Sequence, residues 1–215
     1  MAQQQNPVDI AYGNAIQGKN EEQRKVISYL FDKPISGGGC FSSDVYLSDD
    51  EFRQIVKAKR DSLNLRQKAI NKIGLDEDEL SEMPPVCFEG FFFKDAWTKK
   101  NKANLYVSSC YQVSWIFFSS DQIYLYQYVI YLDEDKKKES TEEYFYSDVT
   151  SFATRTETES AKNNEGVKFE VETNKFAMIV PGATLTVALE DSAGDFEEAI
   201  KRMKYKLREK KNQNR

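Results

Sequence analysis

From Val86 to about Leu189 the chain alternates short apolar runs with polar turns, and no long helical period interrupts them. One helical period follows, from Asp195 to about Arg208. Strands joined by short turns pair antiparallel, because a parallel pair needs a crossover of about a dozen residues or more. The order therefore predicts an α+β fold: an antiparallel barrel or bent sheet closed by a C-terminal helix. That helix carries Phe196, Ala199, Ile200, Met203 and Leu207 at i, i+3, i+4, i+7 and i+11, a single apolar face. Asp195, Glu197 and Glu198 open it, and Lys204, Lys206, Arg208, Lys210 and Lys211 lie toward its end, the charge order that the helix dipole favours.

The strands are read from period-two alternation. Residues 86–93, VCFEGFFF, form the first, and a basic loop over Lys94–Asn104 follows. Tyr111–Phe118 and Ile123–Leu132 flank a four-residue hairpin loop, Ser119-Ser120-Asp121-Gln122. In the second of these, Ile123, Leu125, Val129 and Tyr131 alternate with Tyr124, Tyr126, Tyr128 and Ile130. One row faces the core, and the other is an aromatic outer face that needs a cover. A charged tip over residues 133–139 leads to Glu143–Tyr146, then to a Thr-rich strand over Thr150–Glu159 anchored by Phe152. Val167, Phe169 and Val171 mark a half-buried strand, Asn174-Lys175 a turn, Phe176–Val180 a strand, Pro181-Gly182 a turn and Thr184–Leu189 the last strand.

The N-terminal part reads differently. Residues 1–20 are polar and Gln-rich, which predicts a flexible segment. Residues 21–85 read as a helical segment. Val26, Ile27, Leu30 and Phe31 mark a short helix, which Pro34 and a Gly-rich loop, Ser36-Gly37-Gly38-Gly39, terminate. Ser48-Asp49-Asp50-Glu51 is a capping box for a helix carrying Phe52, Ile55 and Val56. A second stretch, Leu65 to Ile73, ends at Gly74. This helical hairpin is the natural cover for the tyrosine face. Residues 76–82, DEDELSE, read as a solvated acidic linker up to Pro84-Pro85. They lack the alternating ligands and central Gly of a calcium loop. The Gly-rich loop lacks the following Gly-Lys-Ser/Thr of a phosphate cradle.

Composition narrows the function. The chain has no histidine, which removes Ser-His-Asp and Cys-His machinery and the usual neutral-pH base. Carboxylate pairs remain, but Glu142, Glu143 and Asp148 read more simply as solvated acids and turn caps. The expectation is a chain with no catalytic residues and no cofactor. Cys40, Cys87 and Cys110 are odd in number and widely spaced, with no metal-ligand pattern, so reduced packed thiols are expected and no metal site. The N-terminus has no basic start or apolar run of a signal peptide, and Ile123–Leu132 is too short and alternating to span a bilayer. A cytoplasmic location follows as the default. Acids outnumber bases 17 to 11 over residues 86–192, while residues 193–215 carry eight bases to four acids. The acidic body predicts no nucleic-acid partner, and only residues 211–215 and the helix before them form a basic tail.

Strands, a basic loop after the first of them, and a closing amphipathic helix resemble, over residues 86–210, the pleckstrin-homology-like superfold, its bacterial members included. The stretch from Ser108 to Thr150, SSCYQVSWIFFSSDQIYLYQYVIYL followed by EEYFYSDVTSF, also resembles bacterial proteins that carry no assigned activity. The resemblance implies a binding module. In lipid-binding members basic residues sit in and after the first inter-strand loop, where this chain has Lys94, Lys99, Lys100 and Lys102. Two functional readings follow. In the first, the chain is a non-enzymatic protein- or peptide-binding or scaffolding module. An extended peptide enters between sheet and helix, and Tyr124, Tyr126, Tyr128, Tyr144 and Tyr146 supply the sticky surface. The competing and preferred place for those rings is beneath the chain's own helices. In the second, the Lys94–Lys102 loop, the Lys136–Lys138 tip and the basic C-terminal helix and tail, Lys201–Arg215 with Lys204 and Lys206, dock on an anionic membrane surface.

Overall fold

Local capping signals place the N-terminal helices. The computed structural model describes residues 6–36, 43–74, 76–190 and 196–213. The expected Gly37–Gly39 joint, Cys40, the helix start at Asp195 and the last residues of the basic tail lie outside them. Helix α1 spans Pro7–Ile16, inside the segment expected to be flexible. Asn6 caps it through its side chain, and Pro7 stands at the first turn, where no amide partner is lost. Helix α2 spans Glu21–Leu30 behind an Asn20/Gln23 capping box. Helix α3, Asp49–Ser62, starts at the expected Ser48/Glu51 box, and α4, Leu65–Ile73, ends at Gly74 with φ at 79°. The acidic run is not a bare linker: Glu77–Leu80 makes one 3-10 turn and buries Leu80.

Among the described residues nine strands follow: β1 (Met83–Phe91), β2 (Thr98–Lys100), β3 (Tyr106–Ser108), β4 (Cys110–Phe118), β5 (Gln122–Tyr131), β6 (Lys137–Phe145), β7 (Ser151–Lys162), β8 (Lys168–Val180) and β9 (Ala183–Ala188). Helix α5, Phe196–Gln213, comes after them. The strands form antiparallel sheets in the orders β1-β4-β5-β6, β2-β3 and β7-β8-β9. Two expectations change. The basic loop after β1 carries a short hairpin, β2-β3. The turn expected at Asn174-Lys175 does not form: β8 runs straight through, because Lys175 is buried, pairs in register with Arg155 and meets Glu159 at 3.0 Å.

Among the described residues two large cores lie on the faces of the four-stranded sheet, beside a small third cluster of Ala96, Cys110 and Val129. The helical layer packs on one: Val26, Ile27, Phe31, Phe52 and Ile70 meet Tyr111, Phe117, Tyr124, Tyr126 and Tyr128. The other joins Ile116, Phe118, Ile123 and Leu125 to Phe152, Phe176 and Met178 of the second sheet and to Ile200, Met203 and Leu207 of α5. Phe88 of β1 stacks on Phe176 of β8 at 4.6 Å, which ties the sheets. Where they meet, the amide of Glu190 donates to the Glu89 carbonyl at 2.9 Å. The neighbouring residue is Gly90 because a Cβ there would stand 2.9 Å from the Leu189 carbonyl carbon. The protein is thus α+β, with antiparallel sheets between N-terminal helices and a C-terminal helix.

Candidate functional site

The tyrosine row is under the helices. Tyr124, Tyr126 and Tyr128 are buried, and α4 packs across β4, β5 and β6 above them. Their polar ends are met locally. The Tyr124 hydroxyl donates to Gln122 and that of Tyr126 to Glu139, while Lys68 lies over the Tyr128 ring at 5.1 Å. Burial raises the pKa of all three hydroxyls, so they stay neutral donors. Tyr146 belongs to the other core and donates to the Ser119 carbonyl. Tyr144 is half-buried and donates to Glu142, one of the acids weighed as a catalytic group. These five rings do not make a continuous exposed patch, and the helical hairpin is their cover.

The lysines are divided among different surroundings. Lys99 donates to Asp32 at 2.7 Å and lies 3.8 Å over the Tyr29 ring, and Lys100 lies over Tyr106. The backbone of Lys102 donates to Asp49, whose carboxyl is also held by the Tyr29 hydroxyl. Lys206 is gripped by Glu82 at 2.6 Å, with Lys210 on the same carboxylate. Those two ammonium groups hold Glu82 below its ordinary range. Lys94 is exposed. Lys99, Lys100 and Lys102 line a recess with α2 and the start of α3, whereas Lys204 lines a separate groove beside β7. The structure does not gather the six into one anion site.

The groove of Lys204 lies under α5 and is lined by Thr154, Arg155 and Thr156 of β7, Asn174 of β8 and Leu189. The Ser160 carbonyl accepts from Asp95 at 2.8 Å and the Lys162 amide donates to Ala96 at 2.9 Å, both away from β8. Backbone groups alternate along a strand, so the other even-numbered residues turn theirs the same way. Thr154, Thr156 and Thr158 thus present amides and carbonyls to an edge where no further strand pairs among the described residues. Helix α5 packs against β7, and the space between them is about 530 Å³. Phe196 and Ile200 give it an apolar wall, while among the described residues Arg155, Lys201 and Lys204 stand around it against one acid, Glu197. Among the described residues, no acidic side chain is within ion-pair distance of those three cations. Thr-rich Thr150–Glu159 was visible in the sequence as a strand, but not as an edge; Lys201 was legible as part of the basic tail, and Arg155 carried no signal of its own.

Two carboxylates elsewhere draw attention as chemistry. Glu89 pairs with Arg60, and Glu190 with Arg53 and the Tyr111 hydroxyl, at the seam where α3 meets β1 and the end of β9. Burial raises Glu89 despite the guanidinium, and burial also raises the Tyr111 hydroxyl. Each group is spent on its partner, so the cluster clamps layers together and leaves no free base beside a nucleophile. Among the described residues no group of three His, Cys, Asp or Glu side chains is placed to hold a metal ion, and no helix is long and apolar enough to cross a membrane. No family model, curated protein or solved structure matches the chain.

Proposed function

We propose that residues 86–210 are a pleckstrin-homology-like module that binds, without catalysis, an extended acidic peptide laid along the outer edge of β7 beneath α5. A four-stranded and a three-stranded antiparallel sheet followed by a helix support the family reading. The observation that carries the binding reading is the open edge of β7 at Thr154 and Thr156, two residues lining a groove whose cations have no acid within ion-pair distance among the described residues. Main-chain bonds to an edge strand supply affinity, and the side chains flanking it supply choice. Arg155, Lys201 and Lys204 favour carboxylates, and Phe196 and Ile200 favour an apolar residue between them. The reading in which Lys94, Lys99, Lys100, Lys102, Lys204 and Lys206 dock on an anionic membrane has less support, since Lys99 and Lys206 already hold internal acids.

Calorimetric titration of the full chain with an alternating Val-Glu peptide tests the proposal against a Val-Lys peptide and anionic vesicles. The Val-Glu peptide binds and the Val-Lys peptide does not. Thr156→Pro removes one outward amide, is compatible with an edge strand, and abolishes binding while thermal unfolding stays close to the parent's. Equal binding of both peptides, or vesicle binding without peptide binding, overturns it.

A further inference from the structure

We propose that a second cleft, where the α3–α4 turn, the edge of β1 and the start of α5 converge, binds a small aromatic organic anion. Its volume is about 600 Å³, within the range of small-molecule sites, and its walls come from three packed layers, the setting such sites favour. Cys87 pairs in register with Trp115, and Glu89 with Val113, so these four share the sheet face turned to the helices. Trp115 is half-buried and Val113 buried, which gives a flat apolar wall on which a ring can stack.

The charged side chains that line the cleft are Arg60, Arg66 and Arg202 and the acids Asp61, Glu89 and Glu190. The Glu89 carbonyl points out of the sheet to Glu190, so by strand alternation the amide and carbonyl of Cys87 also point out, into the cleft. Arg60 is committed to Glu89 and Asp61. Arg202, on the α5 side, has only Glu198 at 4.0 Å among the described residues, and both side chains are more than half exposed. A pair that loose contributes little, so the guanidinium is available to an incoming anion. Ring on Trp115, hydrogen bond to Cys87 and charge on Arg202 together select an aromatic carboxylate or sulfonate. This cleft adjoins the β7–α5 groove and shares Leu189 and Phe196 with it, but Trp115, Cys87 and Arg202 line this cleft alone.

The probe is anilinonaphthalene sulfonate, titrated into the full chain and followed by heteronuclear NMR, with uncharged anilinonaphthalene as control. The chain has two tryptophans, hence two indole N–H signals, and Trp115→Phe assigns them. The Trp115 signal is expected to move on titration while that of Trp97 stays. Arg202→Glu, with unfolding unchanged, weakens the sulfonate about tenfold, the scale of one lost charge-assisted bond, and leaves the uncharged control as it was. Movement of Trp97 instead, movement of neither indole, or equal binding of the sulfonate by Arg202→Glu overturns the site.

Discussion

Asp133 sits in an environment that disfavours its charge. It is 5% exposed, and one of its carboxylate oxygens has no hydrogen-bond partner. Burial pushes its pKa from 3.8 up to about 6. A raised carboxylate pKa means that the folded state holds the proton more tightly, so the stability it confers is present at low pH and is lost as pH rises from about 4 through about 6. Two units correspond to about 3 kcal/mol. Asp133→Asn is expected to flatten this part of the stability profile and to stabilise the protein at neutral pH by up to about that amount. Urea melts of parent and variant across that range check the sign. Lys175 with Glu159 is the opposite case: a buried ammonium, 2% exposed, held at 3.0 Å, on a carboxylate that also accepts the Phe93 amide at 2.8 Å. Glu159→Gln strands the charge and is expected to cost about 3–5 kcal/mol, whereas replacing both by Met costs far less in the same melts.

At the scale of elements, the seam between β1 and the end of β9 depends on Gly90. A Cβ there meets backbone atoms of Leu189 and Glu190 at 2.9 and 3.0 Å, which cannot rotate aside. Gly90→Ala is expected to destabilise by about 1–3 kcal/mol, read as a lowered Tm. Helices α2, α3 and α4 were legible because their signals are local: the Ser48/Glu51 box and Gly74 act within one turn. The tyrosine row of β5 was legible too, and so was its cover, because a full aromatic face cannot stay in water. Helix α1 was not, since Val8, Ile10, Ala11 and Ile16 give little amphipathic contrast and its order comes from packing on α2. Nor was the passage of β8 through Asn174-Lys175. A polar pair reads as a turn unless the acid that neutralises it, sixteen residues away on β7, is already in place. The groove shares that limit: period two reveals a strand, but which strands become edges is decided by tertiary pairing.

For the whole molecule, the helical layer is a structural lid over a sheet face. Removing residues 1–80 bares Tyr124, Tyr126 and Tyr128 and is expected to give an aggregating chain that binds apolar dyes, checked by sedimentation. The outer edge of β7 lies on an acidic body but beside a cationic groove, which suits an acidic peptide and predicts binding that weakens with salt. Hydrogen exchange at Thr154, Thr156 and Thr158 tests this account most directly. Their amides are expected to exchange rapidly in the free protein and to become protected when the Val-Glu peptide is bound, while the amides of Arg155 and Glu157, which face β8, are protected throughout. Protection of the three threonine amides in the free protein, or none on addition of the peptide, would contradict it.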